Sequence, residues 1–88
     1  MSADDVLRMK GALAEKEQEA KRLAILLAGH RDRVRQMTDR HKPVEKIDTT
    51  ELRVEVDTIV DLNARLQTLL DEIAELRRDL NLDRYEAR

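Results

Sequence analysis

The sequence contains no cysteine, no phenylalanine and no tryptophan, and it has only two glycines and one proline in 88 residues. The lack of cysteine excludes a disulfide scaffold and a thiolate metal site, and it fits a reducing cytoplasm as the expected compartment. Tyr85 is the one aromatic residue, so the bulk on which compact cores depend is missing. So few glycines and prolines leave little for the turns of a β-sheet protein. These absences favour long helices over a globule.

A long hydrophobic run is missing as well. The longest, residues 23–28, has six residues, whereas a membrane-spanning helix needs about 20. The acidic N-terminus does not resemble a secretory signal. A formal net charge of −2 gives no overall attraction to nucleic acid or anionic lipid. We therefore expect a soluble, cytoplasmic chain without a membrane partner.

Two helices are predicted from start and stop signals. Ser2 with Asp5, and Asp48 with Glu51, are typical of capped helix starts. Pro43 cannot continue a helical hydrogen-bond ladder, so the first helix should end before it. The prediction is helix 1 at about 3–40, a turn at 41–47, helix 2 at about 48–81 and a frayed tail at 82–88.

Each predicted helix carries a seam of residues spaced three or four apart, mostly apolar, which is the heptad pattern of coiled coils. The first seam comprises Val6, Met9, Leu13, Lys16, Ala20, Leu23, Leu27, His30, Val34, Met37 and His41. The second comprises Leu52, Glu55, Ile59, Leu62, Leu66, Leu69, Ile73, Leu76 and Leu80. Lys16 should run its alkyl chain along the seam and place its ammonium near Glu72 or Glu75.

The two seams also predict a register, because facing residues of an antiparallel hairpin have position numbers that add to a constant. With a constant of 89, nine layers align, from Met9 with Leu80 to Met37 with Leu52, and the turn falls beside Pro43. The predicted fold class is all-α, an antiparallel two-helix coiled-coil hairpin. Gly29 leaves an alternative open, a break at Ala28 and Gly29 followed by a short helix at 31–40.

Further apolar residues lie off the seam and widen the apolar stripe beyond a two-helix contact. We expect this surface to be an interface through which the hairpin packs against a second copy and forms a homodimeric four-helix bundle. Asn63 interrupts a second seven-residue repeat, either as a buried residue that sets the register or as a solvated side chain. The predicted interface residues are Ile25, Leu26, Val56, Val60, Asn63 and Leu70.

The segment from His30 to Lys42 is locally basic, and its candidate phosphate contacts are Arg31, Arg33, Arg35, Arg40 and Lys42. The stretch from Asp48 to Asp61 is acidic and should lie opposite, so internal pairing is the favoured interpretation. Nucleic acid is therefore the less favoured partner.

The two histidines, His30 and His41, are 11 residues apart, about 16 Å along a helix and too far for one metal ion. His30 could pair across the hairpin with a carboxylate such as Asp61, and a metal shared between subunits stays conceivable. No pattern places a nucleophile beside a base in a pocket. We expect no catalytic residue, no cofactor and no metal site in the chain, and no enzymatic activity.

In size and shape the predicted hairpin resembles accessory proteins of larger bacterial or phage assemblies, such as secretion co-chaperones and nuclease accessory subunits. No motif carries this resemblance, so it assigns no residue a role. The expected function is a protein-interaction module that binds itself and an unidentified protein partner, as an adaptor, chaperone or small accessory subunit. The alternative is a nucleic-acid-associated regulator that uses the basic tip.

Overall fold

The structure is a computed structural model that describes residues 2–86, with side chains described for residues 2–81. Within this part, the chain forms two helices and no strand: α1 spans Ala3–Met37 and α2 spans Thr49–Glu86. The helices pack against each other as an antiparallel hairpin, 64 Å long and 18 Å wide. The prediction of an all-helical hairpin is confirmed.

Both helices begin at the capping residues that the sequence indicates. The Ser2 hydroxyl accepts a hydrogen bond from the backbone N–H of Asp5 (3.2 Å), and the Asp48 carboxylate accepts one from the N–H of Glu51 (3.0 Å). Each bond satisfies an N–H that has no partner within the first helical turn. These two caps determine where α1 and α2 begin.

The connection between the helices begins earlier than predicted, because α1 ends at Met37 rather than near Arg40. Thr38 is the C-cap, and its N–H still donates to the Val34 carbonyl (2.9 Å). Asp39 then turns the chain, since its carboxylate accepts from the N–H of His41 (2.8 Å). His41, predicted as the last seam residue, is consequently exposed in the connection.

A short 3₁₀ turn, Val44–Lys46, follows Pro43 and closes the connection. At the other end, α2 continues to Glu86, although the sequence predicted an end at Asn81 and a frayed tail. Asn is a weak stop signal, and nothing after it breaks the helical ladder. Residues 87 and 88 of the predicted tail lie outside the described part.

No break occurs at Gly29, where α1 is continuous and the glycine has no positive φ. The alternative of a separate helix at 31–40 is therefore wrong. Beyond Gly29, Val34 and Met37 are half-buried along the seam, and this burial outweighs the roughly 1 kcal/mol that a mid-helix glycine costs relative to alanine.

The predicted register is confirmed by ion pairs on both sides of the seam. Glu17 pairs with Arg77 across one side, and their position numbers add to 94. Arg33 pairs with Glu51 across the other side, and their numbers add to 84. For facing residues on the two flanks of the seam, the sum of the position numbers should differ from 89 by the same amount, upward on one flank and downward on the other. The observed sums of 94 and 84 lie symmetrically about 89.

The core is the seam itself, and it is thin. Its most buried apolar residues are Ala20, Leu23, Leu62 and Ile73, of which Leu23 is 1% exposed. The other seam residues of α1 and α2 are buried or half-buried, as predicted. Two helices in contact along one line cannot enclose more than this, so most of the surface of each helix stays open.

Candidate interaction surfaces of the hairpin

One side of the seam carries four of the eight large apolar side chains that are exposed among the described residues, together with several alanines, and we name it the apolar face. Heptad spacing places its members at equivalent positions, because residues seven apart lie on the same side of a helix. The apolar members are Leu7, Ala14, Ala24 and Ala28 on α1, and Val56, Val60, Leu70 and Ala74 on α2; the polar Asn63 occupies an equivalent position. The larger ones are far from buried, with Leu70 at 44%, Val60 at 59% and Val56 at 42% exposure.

A shallow groove of about 350 Å³ lies near the middle of this face. Its lining combines Ala24, Ala28 and Arg31 of α1 with Asn63 of α2, over seam residues Leu27, Ile59 and Leu66. The side chains of the two alanines are small, so another helix could approach α1 closely here. The sequence interpretation passed over Ala24; the signal was there, because Ala24 lies midway between Glu17 and Arg31 in one seven-residue repeat.

Charges on the apolar face are mainly basic. Lys10, Lys21, Arg31, Arg35, Arg53 and Arg77 share its heptad positions with one acid, Glu17, among residues 2–81. Arg77 donates toward Glu17, with Nη2 and Oε2 3.5 Å apart. The Arg31 side chain is 67% exposed and pairs at most weakly with Asp32, at 3.8 Å. This face therefore combines exposed apolar side chains with an excess of positive charge.

The opposite side of the seam is the charged face. The Lys16 ammonium pairs with the Glu72 carboxylate, as the sequence predicted, and Arg33 pairs with Glu51. Glu19 and Arg65 line a groove there above Leu23 and Leu69. Because its ion pairs already bridge the two helices, this face has less need of a partner.

On the charged face, Glu19 forms an ion pair within its own helix. Arg22, one turn along α1, donates from Nε to the Glu19 carboxylate (2.9 Å), and this hydrogen bond lowers the pKa of Glu19 below its ordinary value. The same bond raises the pKa of Arg22. Both side chains are open to solvent, so the pair contributes little to stability.

The six predicted interface residues do not form one strip. Val56, Val60, Asn63 and Leu70 share the apolar face, whereas Leu26 lies at a charged-face position, seven residues from both Glu19 and Arg33. Ile25, 73% exposed, points away from the seam on the outer side of α1. The sequence interpretation pooled all off-seam apolar residues, but the geometry of the hairpin separates them onto different sides.

A polar cluster interrupts the seam near the connection. Glu55 is buried at 6% exposure, and its carboxylate lies 2.6 Å from His30 Nδ1 and 3.1 Å from Arg33 Nη1. The sequence suggested Asp61 as a partner for His30, which is wrong. Asp61 is exposed and points outward, whereas Glu55 occupies the seam opposite the His30 and Val34 layers.

The candidate phosphate contacts do not converge on one tip. Arg33 forms ion pairs with Glu51 and Glu55 of the same chain, as the favoured interpretation of internal pairing predicted for this segment. Arg31 lines the groove of the apolar face. Arg40 lies in the connection, with Nε 3.4 Å from His41 Nε2, and Lys42 is half-buried there. Arg35 is exposed on the last turns of α1.

The described residues contain no group of three or more His, Cys, Asp or Glu side chains placed to hold a metal ion. Among the same residues, neither helix has an apolar stretch that could cross a membrane.

No protein-family model matches this chain, and no curated protein and no solved structure matches it either. Its function is therefore inferred from the surfaces of the hairpin.

Proposed function

We propose that this chain is a non-enzymatic protein-interaction module that acts as a self-associating helical hairpin. The observation that carries this proposal is the apolar face, where Val56, Val60 and Leu70 are each more than 40% exposed along one side of a thin core. Soluble monomers rarely leave a contiguous apolar patch larger than a few hundred Å² uncovered. A face of this kind is typical of a surface that another helix covers.

A second copy of the chain is the simplest cover. Two hairpins packed through their apolar faces make a four-helix bundle, in which each face becomes part of a common core. One face of a body 64 Å long and 18 Å wide exceeds the roughly 800 Å² that each partner buries in a standard interface. The face is therefore large enough for a stable dimer.

The dimer would serve as an adaptor, a chaperone or a small accessory subunit of a larger bacterial or phage assembly. Once the apolar faces are covered, the charged faces and the connections stay on the outside and are the surfaces left for an unidentified protein partner. The cysteine-free composition suits a reducing cytoplasm.

The second candidate is a nucleic-acid-associated regulator. It is supported by Arg31, Arg35 and Arg40, which are exposed within ten residues of one another. Binding through phosphates would weaken steeply with salt, because each neutralised phosphate releases counterions. A salt-independent interaction with DNA or RNA, or none, would remove this candidate.

Sedimentation of the whole chain tests self-association directly. We expect a dimer at tens of micromolar, with a melting temperature that rises with protein concentration because unfolding and dissociation are linked. A well-folded monomer whose melting temperature does not depend on concentration would contradict the proposal.

A further inference from the structure

On the apolar face of α1, the charged side chains on the two sides of Ala24 have opposite sign. Along α1, Glu17, Ala24 and Arg31 lie on the same side of the helix at intervals of seven residues. Glu17 and Arg31 are thus about 10 Å on either side of Ala24, at 1.5 Å per residue. A twofold rotation at Ala24 would bring the acid of one copy onto the base of the other.

The same rotation matches apolar residues on α2. The register places Ala24 level with Arg65, and residues equally distant from position 65 would meet. Val60 then meets Leu70, and Val56 meets Ala74. Near the axis, apolar side chains therefore meet apolar ones, as the centre of a four-helix bundle requires. Farther out, 12 residues on either side of position 65, Arg53 comes level with Arg77 of the second copy.

From this pattern we propose that the occupant of the apolar face is a second copy packed antiparallel, with the twofold axis at Ala24 and Arg31 of each copy paired with Glu17 of the other. The inference rests on the proposed self-association and specifies its geometry. In the dimer, Glu17 lies between its own Arg77 and the second copy's Arg31, so its single negative charge is shared by two guanidinium groups.

The other twofold arrangement places α1 over α2 of the second copy, with both hairpins pointing the same way. Arg31 would then lie over Val56 and Val60, Glu17 over Leu70 and Ala74, and Lys10 over Arg77. Charges would be desolvated against apolar side chains, or placed near like charges, with no compensating partner. The antiparallel arrangement avoids these three contacts. It has one like-charge approach, Arg53 to Arg77 of the second copy, and Arg77 is already paired with Glu17 of its own copy.

Cross-linking tests the position of the axis, since the chain has no cysteine of its own. In an Ala24→Cys variant, the new thiols of the two copies face each other at the axis, and mild oxidation should give a disulfide-linked dimer. The matched control is Ala14→Cys on the same face. Its two thiols would be about 30 Å apart, 20 residues at 1.5 Å each, and should not link.

Charge exchange tests the ion pair in the same preparations. Arg31→Glu and Glu17→Lys should each weaken the dimer by roughly tenfold or more, because each places like charges together in a partly desolvated interface. The double variant should recover part of the affinity, because opposite charges again face each other between the copies, while position 17 still lies beside Arg77 of its own copy. Circular dichroism at the same concentration monitors folding of each variant.

Three outcomes separate the inference from the proposal on which it rests. Cross-linking at Ala24, with recovery in the double variant, supports both. A wild-type dimer that fails to cross-link at Ala24, and whose double variant is as weak as the single ones, overturns the antiparallel arrangement and leaves self-association intact. A wild-type monomer overturns both, and the basic margin of the apolar face would then fit an acidic helix of another protein.

Discussion

Glu55 is the residue that departs most from a regular coiled-coil core. Its carboxylate is buried in the seam, where heptad packing calls for an apolar side chain, and it contacts both His30 and Arg33. Burying a charge costs free energy that its partners offset only in part. Buried polar contacts of this kind can still fix one register, because any shift of α2 along α1 would leave the carboxylate without partners.

A Glu55→Leu substitution should therefore be tolerated. The two partners are not left buried and unpaired, because Arg33 is 57% exposed and keeps Glu51, and the His30 side chain is 26% exposed. We therefore expect the free energy of unfolding to stay within about 1 kcal/mol of the wild-type value once the desolvation penalty of the carboxylate is removed. Urea denaturation at fixed protein concentration measures it. Glu51→Leu is the control: its side chain lies one turn before Glu55 on α2 and is 52% exposed, and changes at exposed positions stay within about 0.5 kcal/mol. A loss of several kcal/mol for Glu55→Leu alone would show that the polar cluster stabilises the hairpin.

At the scale of the helices, α1 and α2 are long for a two-helix fold, at 35 and 38 residues. The caps and the heptad seams both favour helix along almost the whole of each segment. For this reason α1 is continuous although it contains two glycines. Gly11 and Gly29 both lie within α1, both are exposed, and neither would bring an added Cβ within 4 Å of another group.

Gly29→Ala and Gly11→Ala should each stabilise the hairpin. Alanine reduces the conformational freedom of the unfolded chain and meets no steric conflict here, so a gain of about 0.5–1 kcal/mol is expected at each site. Thermal melting followed by circular dichroism gives the change. The double variant should show the sum, because the sites are 18 residues apart on one helix. A destabilised Gly29→Ala beside a stabilised Gly11→Ala would indicate that the outer side of α1 near Gly29 is covered in the native assembly.

For the whole molecule, the decisive property is that the hairpin has two unlike sides. The charged face is bridged by the ion pairs of Lys16 with Glu72 and Arg33 with Glu51. Among the side chains that the structure describes, the apolar face has one ion pair, between Glu17 and Arg77, and it leaves large apolar side chains exposed. Such a rod is expected to associate through one side only, which favours a closed dimer over an open polymer.

Leu70 and Leu26 offer a matched test of this asymmetry. They have similar exposure, 44% and 39%, but lie on opposite sides of the seam. Leu70→Glu should dissociate the proposed dimer, because it places a charge opposite Val60 of the second copy, or should unfold the chain if the hairpin cannot stand alone. Leu26→Glu should still sediment as a folded dimer at tens of micromolar. Equal loss of association in both variants would mean that the interface surrounds α1 rather than covering one face.

The sequence by itself determined the helix starts, the seam and the register. Each depends on local signals: Ser2 and Asp48 cap their own first turns, and heptad spacing fixes which residues of one helix share a side. The end of α1 was missed by a few residues because Thr38 and Asp39 already satisfy the chain's hydrogen bonds in a turn before Pro43 is reached.

Only the tertiary structure decided which off-seam residues share a surface and which carboxylate His30 contacts. Leu26 and Leu70 are equally apolar in the sequence, but they separate once the helices pack, because the seam divides each helix into two flanks and antiparallel pairing determines which flanks become neighbours. Heptad spacing already placed Glu55 in the seam, opposite Val34, but only the packed structure shows that His30, one turn before Val34, contacts this carboxylate rather than Asp61. These features depend on the relative placement of two helices, which periodicity within one helix does not contain.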